Sequence, residues 1–241
     1  MKAMLFAAGL GTRLKPFTEQ HPKALAQVNG KTLLEHKIRY LQRFGIFEVV
    51  VNVHHFADQI EQVLEAHQGF GSRVLLADER EAVLETGGGL KKAAPLLAGE
   101  EAVVVMNVDV FSNLDLNKML AFHQEKNPLA TLAVMQRDSS RQLLFDADMR
   151  LCGWENLKTA EQRLVKKVPY MAFAFSGIQI VSQRLLQSIR QEGKFSIIDV
   201  YLEAAARPGE SILGYDHSSD WFLDVGRPES LQQAEKMMGN E

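Results

Sequence analysis

Apolar runs and helical periods alternate through the first half of the chain. Residues 2–8 and "EVVVNV" (48–53) are continuous apolar stretches of strand length and predict strands buried on both faces. Between them, "TLLEHKIRYLQRF" (32–44) spaces its apolar residues as one face of a helix. "FADQIEQVLEAH" (56–67) predicts a second helix and "RVLLADE" (73–79) a third strand. A helix starting on the glycines of "GGGLKKAAPLL", the buried strand "AVVVMNVD" (102–109), the helix "LNKMLAFHQEK" and the strand "ATLAVMQ" continue the order. Strands alternating with helices imply a mostly parallel sheet covered on both faces, with ligands beyond the carboxyl ends of its strands.

The second half changes character. "LLFDADMRLCGW" (143–154) predicts a hairpin turning at Asp146 to Asp148. "FAFSGIQIV" (173–181) predicts a strand whose Gly177 lets backbone approach a ligand closely. Helices are predicted at 197–207 and 229–238. No linker, repeat or low-complexity tract divides the chain. One domain over 1–241 is expected, with a first part to about residue 136 and a small β region inserted in the remainder.

Composition narrows the function. With 27 Lys plus Arg against 30 Asp plus Glu, the net charge of −3 lacks the basic excess of a general nucleic-acid binder. No stretch reaches the length of a membrane span. The apolar run Ala3 to Leu10 is short for a secretory signal and is followed by Arg13 and Lys15 rather than a small-residue cleavage site. The single cysteine, Cys152, fits a reducing compartment, so a cytoplasmic protein is expected.

The candidate chemistry begins where the first strand ends, at "AAGLGTRLKPFTEQHPKAL". A dinucleotide fingerprint fails because its third glycine position is Leu14, and a P-loop ending at "NGKT" fails because its first glycine would be Leu25. What remains is a glycine loop exposing backbone N–H groups to an anion, followed by Arg13 and Lys23. Asp109 ends a buried strand, where a carboxylate faces the ligand crevice. His54 and His55 are adjacent and would face opposite sides of a strand, which argues against a paired metal site.

That opening stretch resembles the signature of the sugar-1-phosphate nucleotidyltransferases, through both glycines, Thr12, Arg13, Pro16, Thr18, Pro22 and Lys23 in register. "VNGKTLLEH", "LETGGGL", "NVDV", "FSGIQI" and "WFLDVGRPESL" extend the resemblance along nearly the whole chain, and "LETGGG" with "FSGI" is most similar to the N-acetylmuramate-1-phosphate uridylyltransferase branch. Mannose- and heptose-1-phosphate guanylyltransferases are near relatives. The resemblance implies a Rossmann-like fold and transfer of a nucleotidyl group from an NTP to a sugar 1-phosphate with release of pyrophosphate. It implies Arg13 and Lys23 as catalytic cations. It implies nucleotide contacts at Ala8, Gly9, Gly11, Thr12, Asn52, Glu85, Thr86, Gly87 and Asn107, and a Mg²⁺ ion at Asp109 and Asp224. On the sugar side it implies Ser176, Gly177 and Asp199, with Glu155 standing in for a glutamate missing from "LVKKVP". The family usually has glycine where this chain has Val108, beside the expected metal ligand. Small-molecule substrates are the expected partners, with no nucleic acid or membrane. A catalytically silent sugar-nucleotide binder, and a cytidylyltransferase using a phosphorylated alcohol such as phosphocholine, are the competing readings. The base, the sugar and the oligomeric state are left open.

Overall fold

A computed structural model of the chain describes residues 1–238. Strand β1 (Lys2–Phe6) leads into three single-turn 3-10 helices and the ribbon β2 (Gln27–Val28) and β3 (Lys31–Thr32). Helix α1 (Leu33–Gln42) follows, then β4 (Glu48–Val53), α2 (Ala57–Ala66), β5 (Arg73–Asp78) and α3 (Glu85–Leu97). Next come β6 (Ala102–Asn107), β7 (Val110–Ser112), α4 (Leu116–Lys126) and β8 (Ala130–Met135). The second half holds β9 (Arg141–Phe145), β10 (Leu151–Asn156), β11 (Glu161–Leu164) and β12 (Met171–Ser182). Helices α5 (Gln183–Ser188) and α6 (Ile197–Ala205), strands β13 (Ile212–Asp216) and β14 (Phe222–Asp224), and α7 (Pro228–Met238) complete the chain.

One ten-stranded mixed sheet runs in the order β11-β10-β9-β12-β6-β1-β4-β5, with β8 beside β12 and β13 beside β8. The pairs β6-β1, β1-β4 and β4-β5 are parallel, as the strand-helix alternation requires. The strand β12 is antiparallel to β6, β8 and β9, and so carries the hairpin strands as an extension of the same sheet. The β region expected as an insertion is therefore continuous with the main sheet, because the twelve residues of β12 reach past β6 to β9.

Period-two alternation divides the core. Ala3 and Leu5 of β1 join one buried cluster with Leu34, Ile38 and Leu41 of α1 and Ile60 of α2. Met4 faces the other, with Leu90, Ala93 and Leu97 of α3 and Tyr201 of α6. Helices thus cover both faces. Their starts follow capping chemistry: Thr32 accepts from the Glu35 N–H at 3.0 Å, and Asp115 and Ser196 cap α4 and α6. Helix α3 begins at Glu85, two residues before the predicted glycine start, and the glycines lie within it.

Candidate active site

Phe6, Asn52 and Asn107 stand in register at the carboxyl ends of three parallel strands, where a cavity of about 760 Å³ opens. Asn52 shapes this floor. Its Oδ1 accepts from the Ala7 and Ala8 N–H groups at 2.7 and 3.3 Å, while its Nδ2 donates to Glu79 Oε1 at 2.7 Å. The other oxygen of Glu79 accepts from the Leu84 N–H at 3.2 Å. This buried carboxylate thereby ties the turn after β1 to the loop before α3, and it lines the cavity. The sequence reading passed over Glu79; its place one residue beyond β5, level with the ends of the neighbouring strands, was the available signal.

The cations come from the glycine loop. Gly11 adopts φ 60°, and its carbonyl accepts from the Leu14 N–H and the Thr18 hydroxyl at 2.8 and 2.9 Å. A Cβ at Gly11 would lie 2.8 Å from Thr18 Cγ2, so both conformation and space demand glycine there. The turn that follows presents Arg13. Lys23, nearly buried, forms an ion pair with Asp109.

Asp224 returns from far along the chain. β14 pairs antiparallel with β7, aligning Asp224 with Val110, and the Val225 N–H donates to the Asp109 carbonyl at 2.9 Å. The Trp221 N–H donates to Asn113 Oδ1 at 2.8 Å, pinning the other end of this ribbon. As a result Arg13 Nη2 lies 3.3 Å from Asp224 Oδ2 and 4.0 Å from Asp109 Oδ2. Gly226 leaves room for this contact, since a Cβ there would sit 2.5 Å from Arg13 Nη2. Behind Asp109, the buried Lys37 ammonium lies 3.9 Å from the centroid of the Phe111 ring. Burial pushes Lys37 down to about 7, with the Asp109 charge opposing that shift.

Two carboxylates converge on one guanidinium nitrogen, and together they form a ligand pair that could hold a hard divalent cation in its place. Magnesium takes one or two carboxylates and fills its remaining positions with phosphate oxygens and water, so Asp109 and Asp224 fit it. No group of three or more potential ligand side chains occurs among the described residues.

Comparison with known proteins places this arrangement. The nucleotidyl transferase family model matches residues 2–143, more than half of the chain. The chain belongs to that family. An N-acetylmuramate alpha-1-phosphate uridylyltransferase of Caulobacter vibrioides is 49% identical over 109 residues, 44% of this chain and 45% of that protein. The enzyme of the same name from Neisseria meningitidis is 29% identical over 99% of both chains. In fold, the structure of HddC from Yersinia pseudotuberculosis complexed with GMP-PN superposes with a TM-score of 0.78 and 22% identity over 98% of each chain.

In this nucleotidyl transferase, the residues Ala8, Gly9, Gly11, Thr12, Arg13, Lys23, Asn52, Glu85, Thr86, Asn107, Asp109 and Asp199 all line the cavity. Asp224 meets it through Arg13. Four expected contacts lie elsewhere. Gly87 faces the segment before α6: its N–H donates to the Phe195 carbonyl at 3.0 Å, and a Cβ would strike the Phe195 ring. Ser176 is buried against His217, sharing a 2.7 Å hydrogen bond with Nε2. Gly177, at φ 70°, sits in the bulge of β12 opposite the Asn107 side chain, so the close approach it allows is to protein. Glu155 accepts from Gln162 Nε2 at 2.9 Å, while its strand neighbours Trp154 and Asn156 line the cavity, so strand alternation turns it away.

Two further expectations resolve. Val108 needs no glycine-like backbone: it is not among the positive-φ residues and its side chain is buried in the core. His54 Nδ1 shares a 2.7 Å hydrogen bond with the Glu79 carbonyl, a structural use. Among the described residues no helix is long and apolar enough to cross a membrane.

Proposed function

We propose that this protein joins UTP to an N-acetylmuramate-type sugar 1-phosphate in a Mg²⁺-dependent reaction, forming a UDP-sugar and pyrophosphate. The observation that carries the reading is the convergence of Lys23, Arg13, Asp109 and Asp224 at the carboxyl ends of the parallel strands. The names of the Caulobacter and Neisseria relatives support the choice of base and sugar.

The chemistry asks little covalent work of the protein. A phosphate oxygen of the sugar, already anionic, attacks the α-phosphorus; the new P–O bond forms as the bond to the β-phosphate oxygen breaks. No proton has to move and no side chain acts as nucleophile. Catalysis rests on alignment and charge. Lys23 supplies a compact, nearly buried charge for the α-phosphate. Arg13 offers a planar fork to the departing pyrophosphate. Asp109 and Asp224 would hold the Mg²⁺, which when bound supplies Lewis-acid neutralisation of the phosphate oxygens. Asn52 and Glu79 hold the turn after β1 in one shape, so the nucleotide meets a preset surface.

The test is pyrophosphate release measured for each NTP against a panel of sugar 1-phosphates, with and without Mg²⁺. Release fastest with UTP and N-acetylmuramate 1-phosphate, slower with neutral sugar 1-phosphates and abolished by chelation, is the expected result. Preference for GTP with a heptose 1-phosphate would favour the class named for a Campylobacter jejuni relative, 27% identical over 95% of this chain. No release with any pair would favour the silent binder.

A further inference from the structure

The far wall of the cavity is built from three antiparallel strands. Across them Arg141 stands opposite Asn156, and Asn156 opposite Glu161; the next row aligns Leu143, Trp154 and Arg163. Side chains two apart on a strand share a face, so Asn156 and Trp154 line the cavity together, as do Glu161 and Arg163. Arg141 reaches the same cavity from β9.

The two arginines of this wall are held very differently. Arg163 Nη1 lies 2.8 Å from Asp199 Oδ1, and its guanidinium carbon is 5.6 Å from the centroid of the Trp154 ring. Its charge and its orientation are both taken up by protein. Arg141 is exposed, and only its backbone is engaged, with the Ser139 hydroxyl. Among the described residues no carboxylate lies within ion-pair reach of its guanidinium. Glu161 is two strands away, about 10 Å at ordinary strand spacing, with Asn156 between them. An unmatched planar fork therefore projects into the substrate cavity from the wall opposite the phosphate cations, and such a fork matches a carboxylate.

We propose that Arg141 is a specificity-determining residue that binds a carboxylate carried by the sugar, selecting acidic sugar 1-phosphates over neutral ones. This rests on the reading of the acceptor as an N-acetylmuramate-type sugar, whose lactyl ether supplies such a carboxylate. Phosphate and carboxylate are then read on separate walls: Lys23 and Arg13 take the first, Arg141 the second. The spacing from Glu161 keeps the bound carboxylate clear of like charge, while Asn156 offers an amide beside it. Trp154, kept in place by Arg163, presents an apolar surface for the sugar ring.

The test compares N-acetylmuramate 1-phosphate with N-acetylglucosamine 1-phosphate, which differ only in the lactyl ether, using wild type, Arg141→Gln and Arg141→Lys. For Arg141→Gln, kcat/KM with the acidic sugar should fall about 10- to 100-fold, mainly through KM, as for loss of a charge-assisted bidentate contact. With the neutral sugar it should change less than about threefold, and the melting temperature should stay at the wild-type value because the side chain is exposed. Arg141→Lys should recover part of the loss, since it keeps charge without the fork. Equal losses with both sugars, or none with the acidic one, would overturn the role of Arg141 while leaving the proposed reaction standing. A wild-type enzyme that turns over neither sugar, yet is active with another acceptor, would overturn the acceptor reading and this assignment with it.

Discussion

The two walls of the cleft are built on opposite plans. At the wall proposed to take the phosphates, charges recruited from distant points of the chain interlock: Lys23 pairs with Asp109, and Arg13 reaches both Asp109 and Asp224. Strand ends, a glycine loop and a two-strand ribbon position them, so each depends on backbone that the core holds rigid. At the wall proposed to take the sugar, alternate positions on three strands supply a row of side chains, and β11 at the sheet edge carries two of them. There Arg141 can change without disturbing a side-chain partner. On the proposed reading, phosphate transfer belongs to the interlocked wall and discrimination between sugars to the adaptable one.

If that division is real, the largest effect should come from removing the buried cation. Lys23→Ala should lower kcat by about 10²- to 10³-fold or more with either sugar, the range for losing one preorganised electrostatic contact to developing charge. Single-turnover measurement checks it. A loss expressed only in KM for the sugar would erase the distinction between the walls.

Interlocking also predicts non-additivity. Asp109→Asn and Asp224→Asn should each lower activity steeply at limiting Mg²⁺, and the double variant should be little worse than Asp109→Asn alone, if both hold one ion as proposed. Additive losses would separate the two carboxylates.

A smaller change should sharpen the contrast. In Gly226→Ala the new Cβ would displace the Arg13 guanidinium and the Asp224 carboxylate, side-chain ends rather than packed backbone. We expect roughly a tenfold loss of kcat with little change in melting temperature, the range set by a weakened rather than deleted charge contact. A folding defect in place of the kinetic one would make Gly226 a structural glycine.

The two walls also differed in how far sequence reasoning reached. The parallel strands of the first half were legible because continuous apolar runs and helical periods are hard to confuse over that length: the predicted 48–53 and 116–126 match β4 and α4. The pairing of Asp224 with Asp109 was carried by the resemblance alone, since the two lie far apart in sequence, and the β7–β14 ribbon brings their backbones together. The sugar wall was obscure for a physical reason. On exposed strands a one-residue choice reverses the face, so Glu155 was expected where Trp154 and Asn156 point. A bulge in β12 between Phe175 and Gln179 breaks simple alternation, which carried Ser176 into the interior and Gly177 against Asn107. Arg141, Glu161 and Arg163 belong to no motif, and only pairing between strands brings them together.

The smallest effect on activity should come from Ser176, which the resemblance placed beside the sugar and the structure buries against His217. Its hydroxyl and His217 Nε2 are 2.7 Å apart, and Asp220 Oδ2 lies 3.6 Å from the other ring nitrogen. Burial lowers the His217 pKa below its ordinary value, with the Asp220 and Asp216 charges opposing the shift. The folded protein therefore binds fewer protons than the unfolded chain in the window from about 6.5 down to the depressed value. The contribution of neutral His217 is complete above about pH 6.5 and is lost as the pH falls through that window. Ser176→Ala removes a hydrogen-bond partner from a buried ring nitrogen and should destabilise the protein by about 1–3 kcal/mol at pH 8. Its kcat/KM with either sugar should remain at the wild-type value, since the hydroxyl does not reach the cavity. His217→Gln should flatten the acid limb of the stability curve below about pH 6.5, because the group that takes up a proton more readily in the unfolded chain is gone. Denaturant melts at pH 8 and pH 5, paired with steady-state rates, decide the matter. A Ser176→Ala protein of normal stability but weakened sugar binding would return this residue to the sugar wall.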